Sequence, residues 1–146
     1  MGSPDLVRRR LIEQNAGIAA PGSTGSQIAA ELLPNVVELE HELLLSGGVQ
    51  QIGAAEIVIY KPRWGAFYHT DLERHLRESG SNTLVFAGCN FPNCPRTSIY
   101  EASDRNFRIV LVSDAVSGLY DRGVEECRAI GVDVRDLSAT LDWLAR

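Results

Sequence analysis

Thr83-Leu84-Val85-Phe86-Ala87-Gly88, then Cys89-Asn90-Phe91-Pro92-Asn93, then Cys94-Pro95-Arg96-Thr97-Ser98-Ile99-Tyr100-Glu101-Ala102, is the stretch that decides the fold. A short apolar run closed by glycine reads as a buried strand. The turn that follows is rich in Asn and Pro, and the segment after it has helical spacing. Proline suits the first helical position, which makes Cys94 the expected N-cap. A thiol there meets unpaired backbone N–H groups and the positive end of the helix dipole, and both favour a nucleophilic thiolate.

Outward from this unit the same rhythm repeats. Upstream, Glu56-Ile57-Val58-Ile59-Tyr60 is a β-branched strand leading to Lys61, and a turn with Pro62, Trp64 and Gly65 follows. Thr70-Asp71-Leu72-Glu73 reads as a capping box for a helix that runs to Ser79 and stops at Gly80. Downstream come a strand at 108–112, a helix near 123–130 ended by Gly131, a short strand at 132–134, and a last helix capped by Ser138 and ending near Leu144. Strands alternating with helices imply a parallel sheet with right-handed crossovers and helices on both faces, an α/β, three-layer Rossmann-like domain. Ligands in such sheets bind beyond the carboxyl ends of the strands. Lys61, the turn after Gly88, and Asp114 all fall there.

The N-terminal third is less regular. Residues 6–14 suggest a short helix, 15–25 a loop, and 27–33 a further helical turn before Pro34. Residues 36–45 fit a strand or a helix until Gly47-Gly48 ends them. The reading is one domain over 1–146, with 1–35 irregular.

Composition narrows the function. The chain has 146 residues, 45% hydrophobic and 23% charged, with a net charge of −5. That balance argues against nucleic acid or an anionic membrane as partner. Arg8-Arg9-Arg10 reads as a solvated helix face. No apolar stretch has the length of a membrane span or of a signal peptide. The three cysteines, Cys89, Cys94 and Cys127, are an odd, unpatterned set that suits a reducing cytoplasm.

The run Ile57 to Lys61, through Gly65-Ala66-Phe67 and Thr70 to Leu76-Arg77, resembles one signature of the isochorismatase-like cysteine hydrolases. Leu84 to Gly88, five residues, then Cys94 and, eight later, Ala102 resemble the other, and the strand at 109–115 is similar to the family's next one. The resemblance covers about residues 22–130. It implies hydrolysis of small amide-like substrates by an Asp–Lys–Cys triad, with no organic cofactor. Carried over by position, Cys94 matches the nucleophile and Lys61 the triad lysine. The backbone N–H groups of Asn90 and Cys94 match the oxyanion hole, with a cis peptide between Cys89 and Asn90. The family commonly self-associates, so a homo-oligomer is expected.

The chain departs from that pattern at three places. Pro95 stands where the family usually has valine, and Phe91-Pro92-Asn93 is a bulkier turn. The triad aspartate should end an apolar strand well before the Gly22–Gly25 loop, yet only Asp5 precedes that loop, in a polar context. The first strand, its aspartate and the family's metal-binding residues therefore look missing. The strand ending at Gly88 would then carry an open edge, covered by residues 36–45, by a second subunit or by further chain. By analogy with other triads, losing the base costs on the order of 10⁴ in turnover. The expectation is an impaired cysteine hydrolase; the alternative is an inactive, truncated member acting as an oligomerising or binding module.

Other residues carry less. Trp64, Phe67 and Phe91 are the candidates for lining a substrate pocket, although Trp64 and Phe67 equally suit packing of the helix after Thr70. Asp114 suits capping of the following turn better than replacing the lost acid. His41, His69 and His75 lack ligand spacing, so no metal site is expected.

Overall fold

The structure, a computed structural model, describes residues 9–14 and 20–146. It divides into two units, Met1–Pro62 and Arg63–Arg146. Leu6, Val7, Arg8 and Asp5 lie outside the described residues.

In the first unit, α1 (Arg9–Glu13) is followed by short 3₁₀ turns at Thr24–Ser26 and Ala30–Leu32. Residues 36–40, ambiguous in sequence, form neither helix nor strand, and then give way to α2 (His41–Leu45). The buried Gln50 bonds to this segment. Its side chain accepts from Glu40 N–H (2.9 Å) and donates to Glu38 C=O (2.8 Å), the bonds a neighbouring strand would otherwise supply. Gln50 belongs to β1 (Val49–Gly53), which pairs antiparallel with β2 (Glu56–Ile59). The strand leading to Lys61 is thus half of a hairpin, where the sequence suggested a member of the parallel sheet.

The second unit holds the parallel sheet. Its elements are α3 (Leu72–Glu78), β3 (Thr83–Gly88), α4 (Cys94–Asp104), β4 (Arg108–Val116), α5 (Asp121–Ala129), β5 (Asp133–Arg135) and α6 (Leu137–Leu144). The strand order is β3-β4-β5, all parallel, as the crossover rule requires. The helices pack on the sheet, α4 on β3 and β4, α5 on β5, and α6 on β4. Alternation along β4 divides its side chains. Ile109 and Leu111 join Phe91, Ile99, Ala102 and Cys127 in the main core, while Val110 and Val112 are buried outside that cluster. This is an α/β fold.

Three capping assignments differ from the sequence reading. Thr70 does not close a capping box: the N-cap falls to Asp71, and the Thr70 hydroxyl donates to Ala66 C=O and accepts from Leu72 N–H at 3.4 Å. Asp136, not Ser138, caps α6, and its carboxylate accepts from Ala139 N–H at 2.7 Å. Asp114 reaches past the turn that follows it and accepts from Leu137 N–H at 2.8 Å, tying β4 to the start of α6. The helix ends match better. Gly80 adopts φ 72° after α3, where Ser81 N–H bonds Leu76 C=O and Gly80 N–H bonds Arg77 C=O.

Candidate active site

Cys94 is the first residue of α4. Asn93 is the N-cap, so the helix starts one residue before the sequence reading placed it. The reason is Asn93 C=O, which accepts both from Thr97 N–H (3.0 Å) and from the Thr97 hydroxyl (2.9 Å). Pro95 then takes the second helical position, where a missing N–H costs nothing. Cys94 remains in the first turn of an eleven-residue helix, at its dipole-positive end.

The turn before it is held from below. The Cys89–Asn90 peptide is cis. Phe91 N–H donates to Ser117 C=O (2.8 Å) and Ser117 N–H to Gly88 C=O (3.0 Å), so the turns after β3 and β4 are stitched together. Gly118, at φ 70°, lies against the Asn90 amide oxygen, and a Cβ there would overlap it. Asn93 N–H donates to Asn90 C=O, and Arg96 N–H to Phe91 C=O. Beyond the turn, the Arg96 guanidinium donates to the Tyr120 hydroxyl and to Glu126, each at 2.6 Å.

Of the three aromatic candidates, Trp64 is 43% exposed, whereas Phe67 and Phe91 are core residues at 6% and 0%. Phe91 packs edge-on against Tyr120, with ring centroids 5.7 Å apart, and Phe67 packs near Phe107. In the sequence they sat beside candidate site residues, but aromatic area is drawn first into the core.

The cysteines differ in setting. Cys89 is exposed, Cys94 partly buried, and Cys127 buried on α5, where burial pushes its thiol above the ordinary value. Lys61 follows β2 in the first unit and is partly buried. Among the described residues no group of three or more His, Cys, Asp or Glu side chains is gathered to hold a metal ion. No described helix is long and apolar enough to cross a membrane.

Two polar residues escaped the sequence reading. The Ser98 hydroxyl donates to Cys94 C=O (2.7 Å) and accepts from Ala66 N–H (3.0 Å). The Glu101 carboxylate accepts from Phe67 N–H at 2.9 Å. Their signal was present, since positions 94, 98 and 101 fall on one helical stripe.

Against known proteins, a family model described as "Isochorismatase domain" matches residues 48–134. An uncharacterized isochorismatase family protein, YecD, of Escherichia coli is 38% identical over 63 residues, 43% of this chain and 34% of that protein. A maleamate amidohydrolase of Pseudomonas putida is 36% identical over 63 residues, 43% of this chain and 30% of that one. The matched segments thus span about a third of these relatives. Among solved structures, an isochorismatase family protein of Desulfovibrio vulgaris superposes with a TM-score of 0.76 at 28% identity, covering 97% of this chain and 67% of that one. A nicotinamidase/pyrazinamidase of Bacillus subtilis gives 0.58 at 26% identity, over 81% of this chain and 61% of that one.

Proposed function

This chain belongs to the isochorismatase family, and we propose that it is a cysteine hydrolase that acylates Cys94 with a small amide-like substrate. The observation that carries the reading is the position of Cys94 in the first turn of α4, directly after the turn that is stitched to the end of β4.

The chemistry follows from the parts. The Cys94 sulfur attacks the substrate carbonyl carbon, and the oxyanion is met by the backbone N–H groups of Asn90 and Cys94. Collapse breaks the C–N bond, and the amine leaves with the proton that came from the thiol. Water then cleaves the thioester and regenerates the thiol. The other signature matches Lys61 to the family's triad lysine. The signatures match no residue of this chain to the family's proton-relaying aspartate. Protonation of the leaving amine is the step that most needs such a relay. Of the three aromatic candidates, Trp64 is the one that keeps an exposed face.

A second reading, a non-catalytic module that self-associates, draws on β3. That strand pairs only with β4 among the described residues, and Val85 on it is 43% exposed. An apolar strand with one open edge favours a homo-oligomer.

The test uses the purified chain with maleamate, ureidoacrylate and nicotinamide, the substrates named for relatives. Ammonia release and intact mass are followed, with Cys94→Ala as control. An acyl adduct lost in Cys94→Ala supports the hydrolase. A folded chain with no adduct and no ammonia from any of the three favours the binding module.

A further inference from the structure

The loop at 64–68 is held against the helix of the nucleophile by two side chains of that helix. Ser98 is only 4% exposed and bridges two elements: its oxygen accepts Ala66 N–H while its proton goes to Cys94 C=O. One helical turn further on, Glu101 takes Phe67 N–H. Gly65 lies between these bonds, and a Cβ there would overlap the Glu101 carboxylate, so glycine is what lets the loop approach. Thr70 closes the loop on itself through Ala66 C=O. Below it, Arg105 lies over the Phe67 ring, 4.9 Å from its centroid, and pairs with Glu73 of α3 at 2.9 Å. Successive N–H groups of the loop, at 66 and 67, thus end on successive turns of α4.

A buried hydroxyl bonded on both sides does more than satisfy itself. Ser98 transmits the position of the loop to the carbonyl of Cys94, the residue at which the chemistry is proposed. We propose that Ser98 and Glu101 are positioning residues, which clamp the 64–68 loop, with Trp64 at its head, onto the first two turns of the Cys94 helix. The inference rests on the hydrolase reading for its purpose, but not for its geometry. It assigns the serine hydroxyl and the glutamate carboxylate to substrate placement through Trp64 and to the set of the Cys94 turn; neither touches substrate.

The experiment uses two readouts that a merely structural role would not move together. In a Trp143→Phe background, acrylamide quenching of Trp64 reports the loop. The ratio of Cys94 to Cys89 alkylation by iodoacetamide, read by peptide mass spectrometry, reports the nucleophile. Protection of the buried Cys127 certifies the fold. Ser98→Ala should raise Trp64 quenching and lower the Cys94/Cys89 ratio by about tenfold, with Cys127 still protected, and Ser98→Thr should restore both. Should Ser98→Ala expose Cys127, Glu101→Ala serves in its place and should give the same pair of changes. Folded alanine variants with Trp64 quenching and ratio like the parent overturn the clamp, as does a threonine variant that fails like the alanine. If the parent itself shows no preference for Cys94, the nucleophile reading falls, while Trp64 quenching still decides the clamp.

Discussion

Gly65→Ala tests the packing of the candidate site with a sign that depends on a second residue. The new Cβ would overlap the Glu101 carboxylate, so that side chain must withdraw and its bond to Phe67 N–H is lost. A hydrogen bond to a charged group contributes about 1.5–3 kcal/mol, and the deserted N–H belongs to a residue only 6% exposed. Against this, replacing glycine at a φ that alanine accepts stabilises by about 0.4–1 kcal/mol through the unfolded chain. The net expectation is a loss of about 1–2 kcal/mol. Glu101→Ala alone should cost about 2 kcal/mol, since it removes the same bond. In the Glu101→Ala background the Cβ has room, and Gly65→Ala should then stabilise by a few tenths of a kcal/mol or more. Both tryptophans, Trp64 and Trp143, lie in the second unit, so urea unfolding followed by their fluorescence reports it. At a slope of about 2 kcal/mol per molar urea, the single variants shift the midpoint by roughly 0.5–1 M. Additivity of the two substitutions within about 0.5 kcal/mol would refute the reasoning.

Further predictions concern the turn, the core and pH. Gly118→Ala places a side chain at φ 70° against Asn90; it should cost about 1–2 kcal/mol and slow Cys94 alkylation, and an unchanged rate would detach Gly118 from the site. Ile99→Ala empties a position with no accessible surface and should cost about 2–5 kcal/mol in the urea assay, a loss below about 1 kcal/mol contradicting the assigned core. Cys127 has its thiol pKa raised by burial from an ordinary value of 9.0, so the unfolded chain releases that proton first. Its contribution is full below that value and is lost as pH rises from there through the folded-state value. The wild-type curve of stability against pH should therefore fall more steeply than that of Cys127→Ala above about pH 9; parallel curves would contradict this.

The second unit was largely legible because its signals are local. Strong local signals, with Gly80, Gly88 and Gly131 as stops, set β3, the start of β4 and the ends of α3 and α5 within a residue or two, while β4 runs four residues past its expected end. β1 was missed because Val49-Gln50-Gln51-Ile52-Gly53 is half polar, and its Gln50 is buried only through bonds to Glu38 and Glu40. The capping errors share one cause. Thr70 and Ser138 had suitable neighbours, but Ala66 C=O claimed the first and the carboxylate of Asp136 outcompeted the second. At the site, Cys94 was found through its helix start and signature. Ser98 and Glu101 were not, since polar residues on a helix look solvated until their partners, 32 and 34 residues away in the chain, come into contact. Phe67 and Phe91, proposed from the sequence as pocket residues, are members of the core cluster.

Site-resolved alkylation of the wild-type chain at about pH 7 tests the central claim most directly. Cys89 serves as the exposed reference and Cys127 as the buried one. If Cys94 is the nucleophile, it is modified at least about tenfold faster than Cys89 despite being less exposed. A Cys94 that reacts no faster than Cys89 in a chain whose Cys127 stays protected would contradict the account.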